Sequence, residues 1–272
     1  MKSVYRNIAL WLIVLIHAFS VRAQTEMPCI SLRAAAMGAT TAALSDDMSA
    51  LSNIAALAWR NAPIVAIAYR QDYALAGLAH QWIGGALPLS STGSLRASYH
   101  HYGSSTYSEQ YVSAGYAQRL ASGVVAGVAL NYYYSSSSDA HYDAQHALSF
   151  TTSAQASLGQ RWRIGVILAN AANTIGGNAN LPLSVETAIA FRAASDWTTT
   201  LGYHYHAGYS SVHAGAEYRF AHHMAARLGV ATNPLVCSFG AGYNATHLCI
   251  DLAVEYHQLL GLTPMVGGAW RF

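Results

Sequence analysis

The chain has 272 residues, of which 53% are hydrophobic and only 10% are charged, with a formal net charge of +2. Such a small positive charge gives no support for nucleic-acid binding. No segment after the amino-terminal leader reaches about 18 consecutive apolar residues, so membrane-spanning helices are excluded there. High apolar content without long apolar runs favours a closed, lipid-exposed β-sheet.

Residues 1–23 are typical of a secretory signal peptide. Lys2 and Arg6 give a positive amino-terminal region, residues 8–19 are apolar, and residues 21–23, Val-Arg-Ala, suit a cleavage site. We therefore expect residues 1–23 to be removed on export.

Residues 24–61 are predicted to form a plug that precedes a long series of strands. The distinctive part is the run from residue 31 to residue 58, SLRAAAMGATTAALSDDMSALSNIAALA. It contains an Arg-Ala-x-x-Met-Gly block, an Asp-Asp pair and an Asn-x-Ala block. The residues that define these blocks are Arg33, Met37, Gly38, Asp46, Asp47, Asn53 and Ala55.

This run resembles the amino-terminal hatch of the PorV/PorQ family of Bacteroidetes-type outer-membrane proteins, within the FadL-like β-barrel superfamily. Ile54 stands where that family usually has proline. The resemblance implies a transmembrane barrel with a hatch inside its lumen, in the outer membrane of a Gram-negative bacterium.

Residues 62–272 repeat one pattern, an alternating run of about ten residues followed by a turn. About 14 such runs predict an all-β, antiparallel up-and-down transmembrane barrel. In the run 248–257, Ile250, Leu252 and Tyr256 share one face, whereas Asp251 and Glu255 share the other. The first face suits lipid and the second suits a polar lumen.

The connectors alternate between short and longer, which predicts the orientation of the barrel. Bacterial barrels have short periplasmic turns, so we assign turns such as 121–123 and 159–161 to the periplasm. The last strand ends on Phe272. An aromatic carboxy-terminus resembles the signal read by the outer-membrane assembly machinery, which we therefore expect to be a partner, together with outer-membrane lipid.

The same register places the cysteines. Cys237 and Cys249 fall on opposite faces of neighbouring strands, so a disulfide between them is not expected. With Cys29 the total is odd, and we expect all three to be free thiols.

Charged residues in this register fall on the inward face. Seven arginines near the periplasmic strand ends form what we call the arginine girdle: Arg96, Arg119, Arg163, Arg192, Arg219, Arg227 and Arg271. Four inward carboxylates are candidate partners: Glu186, Glu217, Asp251 and Glu255. We favour a mixture of paired and free arginines over a dedicated anion-conducting pore.

The Asp-Asp pair of the plug follows Ser45, which we expect to cap a short helix. Asp46 and Asp47 then lie in the first turn, where carboxylates are favourable. Our sharper hypothesis is that Asp46 or Asp47 also binds the arginine girdle and holds the plug in place.

At the opposite end, inward histidines and tyrosines, among them His100, His204, His206 and His257, line the external mouth. Two imidazoles at i and i+2 on one strand could bind a metal or haem, but without a tight Cys/His spacing we predict polar lining and no metal or cofactor. No nucleophile elbow, phosphate loop or zinc-protease motif is present, so an enzyme is not expected.

Two functions follow from the resemblance. The PorV/PorQ branch implies an accessory barrel in type IX protein secretion or cell-surface delivery, with secretion components or secreted proteins as partners. The FadL branch implies passive uptake of hydrophobic small molecules. Because the external connectors are short, we favour the first and keep the second as the alternative.

Overall fold

The structure is a computed structural model that describes residues 31–170, 177–221 and 223–272. The predicted signal peptide, residues 24–30 with Cys29, and residues 171–176 of the longest external connector lie outside the described residues.

Fourteen antiparallel strands close into a barrel in the described part of the chain. Each strand pairs with its neighbours in sequence, and the last strand pairs with the first. The strands are β1 Ile64–Gln71, β2 Ala79–Pro88, β3 Gly93–Gly103, β4 Tyr107–Ala121, β5 Val124–Ser137, β6 Gln145–Leu158, β7 Trp162–Ala169, β8 Ser184–Arg192, β9 Trp197–His206, β10 Tyr209–Arg219, β11 Met224–Ala231, β12 Val236–Asn244, β13 Leu248–His257 and β14 Gly261–Arg271. The predicted up-and-down barrel is confirmed.

The alternation of side chains explains why the sheet closes around a polar interior. In β13, Leu252 and Tyr256 are 53% and 47% exposed on the outer face, whereas Asp251 is buried on the inner face. An arginine or lysine facing lipid at the midplane would cost about 2–4 kcal/mol, and an aspartate or glutamate would cost less. The register that turns the charges inward is therefore strongly favoured.

Aromatic side chains mark the two membrane interfaces. Trp162 and Trp270 are exposed on the outer face near the periplasmic turns, and Tyr99, Tyr203 and Tyr256 are exposed on it toward the external connectors. Two aromatic belts are typical of outer-membrane barrels and give the depth of the barrel in the bilayer.

Residues 31–60, which we call the internal segment, contain two short α-helices, α1 Leu32–Ala35 and α2 Asp47–Ser52, and a 3₁₀ helix, Ile54–Trp59. Nearly all of these residues are buried. Leu57 and Ile54 belong to one apolar cluster with Trp82, Val125 and Met265 of the barrel wall. None of the described helices is long and apolar enough to cross a membrane.

Cys237 and Cys249 are free thiols, as expected. Phe272 ends the chain beside the first strand, where its backbone N–H donates to the carbonyl of Pro63 at 3.1 Å. Its role in assembly stays a prediction.

Candidate functional site: the lumen and its internal segment

The internal segment contacts widely separated strands of the barrel. The Ala55 N–H donates to Ser153 Oγ of β6 at 2.9 Å, and the Gly38 N–H donates to Ser238 Oγ of β12 at 3.0 Å. The hydroxyls of Thr40 and Thr200 of β9 are 2.7 Å apart. Contacts to walls this far apart in a closed barrel require the segment to lie inside the lumen.

The Met-Gly block lies where the segment approaches the wall most closely. Gly38 has a φ of +70°, and a Cβ there would lie 2.7 Å from the carbonyl oxygens of Ala214 and Val230. Only glycine combines that backbone conformation with so little space. Met37 beside it is fully buried.

The Asn-x-Ala block connects the segment to itself and to the wall. Asn53 Nδ2 donates to the Ala42 carbonyl at 2.8 Å, which joins the two halves of the segment. Ile54 takes the first position of the 3₁₀ helix, where the proline of the resembled family would fit. The helix forms here without it.

Arg33 forms a bidentate link between the segment and the wall. Its Nε and Nη2 donate to the two carboxylate oxygens of Glu217 at 2.6 and 2.8 Å, and its Nη1 donates to Asp46 Oδ1 at 2.8 Å. Glu217 is 1% exposed. Bidentate pairs of this kind combine charge with fixed geometry, so this link also sets the orientation of α1.

The expected N-cap differs by one residue. Asp46, not Ser45, caps α2, since the Asp46 carboxylate accepts from the Ser49 N–H at 3.3 Å. Ser45 instead accepts a hydrogen bond from Arg163. Burial alone would raise the pKa of Asp46, but Arg33 and Ser49 outweigh it and hold that pKa below its ordinary value.

Asp47 contacts the arginine girdle directly. Its carboxylate is 1% exposed and pairs with Arg60 of the segment and with Arg271 of β14. Asp46, by contrast, pairs with Arg33, which is outside the girdle. Asp47 therefore has the contact with the arginine girdle that our hypothesis requires. That this contact holds the plug in place stays a prediction.

Three other girdle arginines contact the internal segment without pairing with a carboxylate of the described residues. Arg96 and Arg119 donate to carbonyl oxygens of the internal segment, at Leu51 and Ala58. Near Arg163, Trp59 lies within cation–π distance, with 6.0 Å from the guanidinium carbon to the ring centroid.

The remaining girdle members face carboxylates or the mouth. Arg227 pairs with Glu217 at 2.8 Å and with Asp251 at 2.6 Å, and Arg219 pairs with Glu217 at 3.2 Å. Arg192 lines the periplasmic mouth, and its side chain makes no hydrogen bond or ion pair with the described residues. The girdle is therefore mixed, with paired and unpaired members.

Two of the four predicted acidic partners have other roles. Glu186 accepts from the backbone N–H groups of Thr41 and Ala42 at 2.5 and 2.7 Å, so it holds the segment's backbone. Glu255 pairs at 3.1 Å with Arg70, near the external end of β1, and not with the girdle. The girdle was predicted at the periplasmic strand ends, whereas Arg70 lies toward the external mouth. The expectation that Glu255 pairs with the girdle was therefore wrong.

A cavity of about 570 Å³, which we call the lumenal chamber, lies on the external side of the internal segment. Its floor includes Thr41, Leu51 and Ile54 of the segment. Asn233 and Pro234 line it from an external connector. Its walls carry the predicted histidines, and no His, Cys, Asp or Glu group in the described residues could hold a metal ion.

One polar network in the chamber was not predicted from the sequence. Asp72 Oδ2 contacts His80 Nε2 at 3.0 Å, and His80 Nδ1 contacts His100 Nε2 at 3.0 Å. His80 also stacks on Tyr102, with ring centroids 4.2 Å apart. Asp72 follows β1 directly and His80 is the second residue of β2. Two polar residues that flank a short connector were therefore the available signal in the sequence.

A second cavity, of about 390 Å³, lies on the periplasmic side of the segment. Leu44, Asp46 and Asp47 of the segment line it, together with Arg163 and Arg192 of the wall. The two cavities share no lining residue. The internal segment therefore separates an external chamber from a basic periplasmic mouth.

Neither a protein-family model nor a curated protein matches the sequence. Several solved structures share its fold. The toluene transporter TodX of Pseudomonas putida superposes with a TM-score of 0.68 at 12% identity, covering 93% of this chain and 100% of that one. The toluene transporter TbuX of Ralstonia pickettii gives 0.66 at 12% identity, covering 89% and 98%. A Pseudomonas aeruginosa FadL homologue gives 0.62 at 11% identity, covering 93% and 98%.

These likenesses extend over nearly the whole chain. At such low identity they establish the fold, which is the FadL-like barrel, and not the specific PorV/PorQ branch. A closed barrel with a lipid-exposed apolar face and two aromatic belts is an integral protein of the Gram-negative outer membrane.

Proposed function

We propose that this protein is a passive outer-membrane channel for a small molecule, in which the internal segment closes the periplasmic exit. The carrying observation is the position of that segment between two separate cavities of one lumen. A molecule that enters the external chamber can leave toward the periplasm only if the segment moves or if the wall opens.

The chamber has the size and lining of a ligand site. Pockets for small molecules measure about 300–1,000 Å³ and combine apolar or aromatic walls with a few polar groups. Here Trp82, Tyr111 and Ile167 contribute apolar surface beside Ser113 and Asn131. The transporters of similar fold carry toluene, which supports a small, largely apolar ligand for this chain.

The contacts of the segment are suited to closure. Hydrogen bonds and ion pairs hold it at Glu186, Glu217 and Arg271, which lie on three different strands. Charge-assisted hydrogen bonds contribute about 1.5–3 kcal/mol each. A limited number of such links can hold the exit closed and still be exchanged when a ligand arrives.

Uptake of a labelled aromatic molecule tests the proposal. The initial rate of entry of benzyl alcohol is measured in Gram-negative cells that express the protein and in cells with an empty vector. We expect faster entry in the expressing cells, saturating with concentration. Equal rates in the two kinds of cells, with the protein present in the outer membrane of the expressing cells, would refute the channel function.

The accessory role in type IX secretion has a weaker basis. It rests on the hatch motif, whereas two of the structures of similar fold named above are toluene transporters. The uptake channel is therefore the function that we carry forward.

A further inference from the structure

The two arginines among the described residues of the lumenal chamber differ in their partners. Arg70 forms ion pairs with Asp72 at 2.6 Å and with Glu255 at 3.1 Å. Arg96 forms no ion pair with a carboxylate in the described part of the chain. A largely buried guanidinium without a counter-ion is costly, because its charge is removed from water without compensation.

Arg96 is held in a fixed position and still has free donors. Its Nη1 donates to the Leu51 carbonyl and its Nη2 donates to Ser113 Oγ, each at 2.5 Å. Its Nε is buried and has no hydrogen-bond partner among the described residues. A guanidinium has five N–H donors in a planar fork that matches a carboxylate.

Trp82 lines the same chamber from β2, the strand next to β3, which carries Arg96. The indole of Trp82 extends over Gly84, which pairs with Ser98, two residues from Arg96 on β3. Trp82 is 6% exposed and lines the same chamber. Flat aromatic surfaces of this kind pack on the face or edge of a ligand ring.

Two further polar atoms of the chamber lack partners. His100 Nδ1 and Ser149 Oγ are unpartnered in the described part of the chain, and the two residues are 2% and 1% exposed. Buried polar groups are almost always hydrogen-bonded in folded proteins. A ligand with polar substituents would satisfy them, whereas a pure hydrocarbon would not.

We propose that the lumenal chamber binds a small aromatic carboxylate, with the carboxylate on Arg96 and the ring against Trp82. This assignment rests on the proposed channel function and names its ligand class. It also connects the ligand to the internal segment, since Arg96 holds the Leu51 carbonyl near the end of α2. A carboxylate on the free donors of Arg96 shares this guanidinium with the Leu51 carbonyl and so couples the ligand to the segment.

Isothermal titration of the purified protein in detergent tests the assignment, with benzoate as the charged probe and benzyl alcohol as the neutral one. We expect the wild type to bind benzoate at least about tenfold more tightly than benzyl alcohol, from the strength of hydrogen bonds to charged groups. Arg96→Gln should abolish this preference, and Arg96→Lys should keep part of it. Arg119→Gln is the matched control, because Arg119 also binds a carbonyl of the segment but does not line the chamber.

Two results would overturn the assignment: a wild type without preference for benzoate, and a preference that Arg96→Gln leaves unchanged. The ratio of the two affinities is the readout because a general loosening of the segment affects both probes. Uptake of benzyl alcohol into cells is measured in parallel. If uptake persists while the preference is absent, the channel function stands and the ligand class is wrong.

Discussion

Glu217→Gln removes the charge that connects the internal segment to the barrel wall. In the wild type the Glu217 carboxylate receives two hydrogen bonds from Arg33 and also pairs with Arg227 and Arg219. Glutamine keeps the shape but leaves the buried guanidinium groups of Arg33 and Arg227 without this counter-ion. Breaking a buried ion pair in this way costs about 3–5 kcal/mol.

The substitution removes a counter-ion from Arg33 of the segment and from Arg227 of the wall. Only the part of the lost free energy that concerns Arg33 destabilises the closed state relative to the open one. If that part is half of the total, the open population rises about tenfold or more. Single-channel recording in planar bilayers measures this population directly. We expect frequent openings for Glu217→Gln that are rare in the wild type.

The matched control is Glu255→Gln. Glu255 is also a lumenal carboxylate paired with an arginine, but its partner Arg70 lies in the barrel wall and not in the internal segment. We expect this variant to gate like the wild type. If both variants open equally, or if neither opens, the link between Arg33 and Glu217 does not hold the segment closed.

Three further predictions concern the same segment. Asp47→Asn should lower the free energy of unfolding in urea by about 3–5 kcal/mol, because Arg60 and Arg271 lose their shared partner. Asp139→Asn in an exposed loop should leave this free energy nearly unchanged, and equal effects of the two substitutions would contradict the role of burial. Burial alone would raise the pKa of Asp46, but Arg33 outweighs it, so this pKa lies below its ordinary value of about 4. The stability that Asp46 gives to the closed segment should therefore be complete above about pH 4 and be lost as the pH falls through the depressed pKa. Channel openings should increase only below about pH 4, and this increase should be smaller in Asp46→Asn. Gly127→Leu should displace the segment and expose Arg60 to trypsin, since a Cβ at Gly127 would lie 2.7 Å from the Ala55 nitrogen. Gly159→Asn should not, because Gly159 lies in open space with a φ of +67° that asparagine tolerates. Unchanged cleavage in Gly127→Leu would show that the segment does not pack against β5.

The barrel was predictable from the sequence because strand alternation is a local property. Each run carries its own inward and outward faces, so Asp251 and Arg271 could be placed in the lumen without knowing their neighbours. The alternation of short and longer connectors then predicted the orientation of the barrel.

The links of the internal segment could not be predicted in the same way. Arg33 and Glu217 are 184 residues apart in sequence, and no local pattern connects them. The N-cap was misplaced by one residue because Ser45 and Asp46 are both good caps, and the choice depends on Arg163 binding Ser45. Strand alternation shows that Glu255 faces the lumen, but it does not show which arginine is its partner. Glu255 was therefore assigned to the girdle, although its partner is Arg70.

The central claim is that the internal segment closes a small-molecule path through the lumen. A disulfide between the segment and the wall tests it most directly, in a variant with Thr40→Cys and Thr200→Cys and with the native cysteines replaced by serine. The two hydroxyls are 2.7 Å apart, which places these positions within reach of a disulfide. We predict that benzyl alcohol uptake is lost in the oxidised protein and recovers on reduction, and uptake at the same rate in both states would contradict the account.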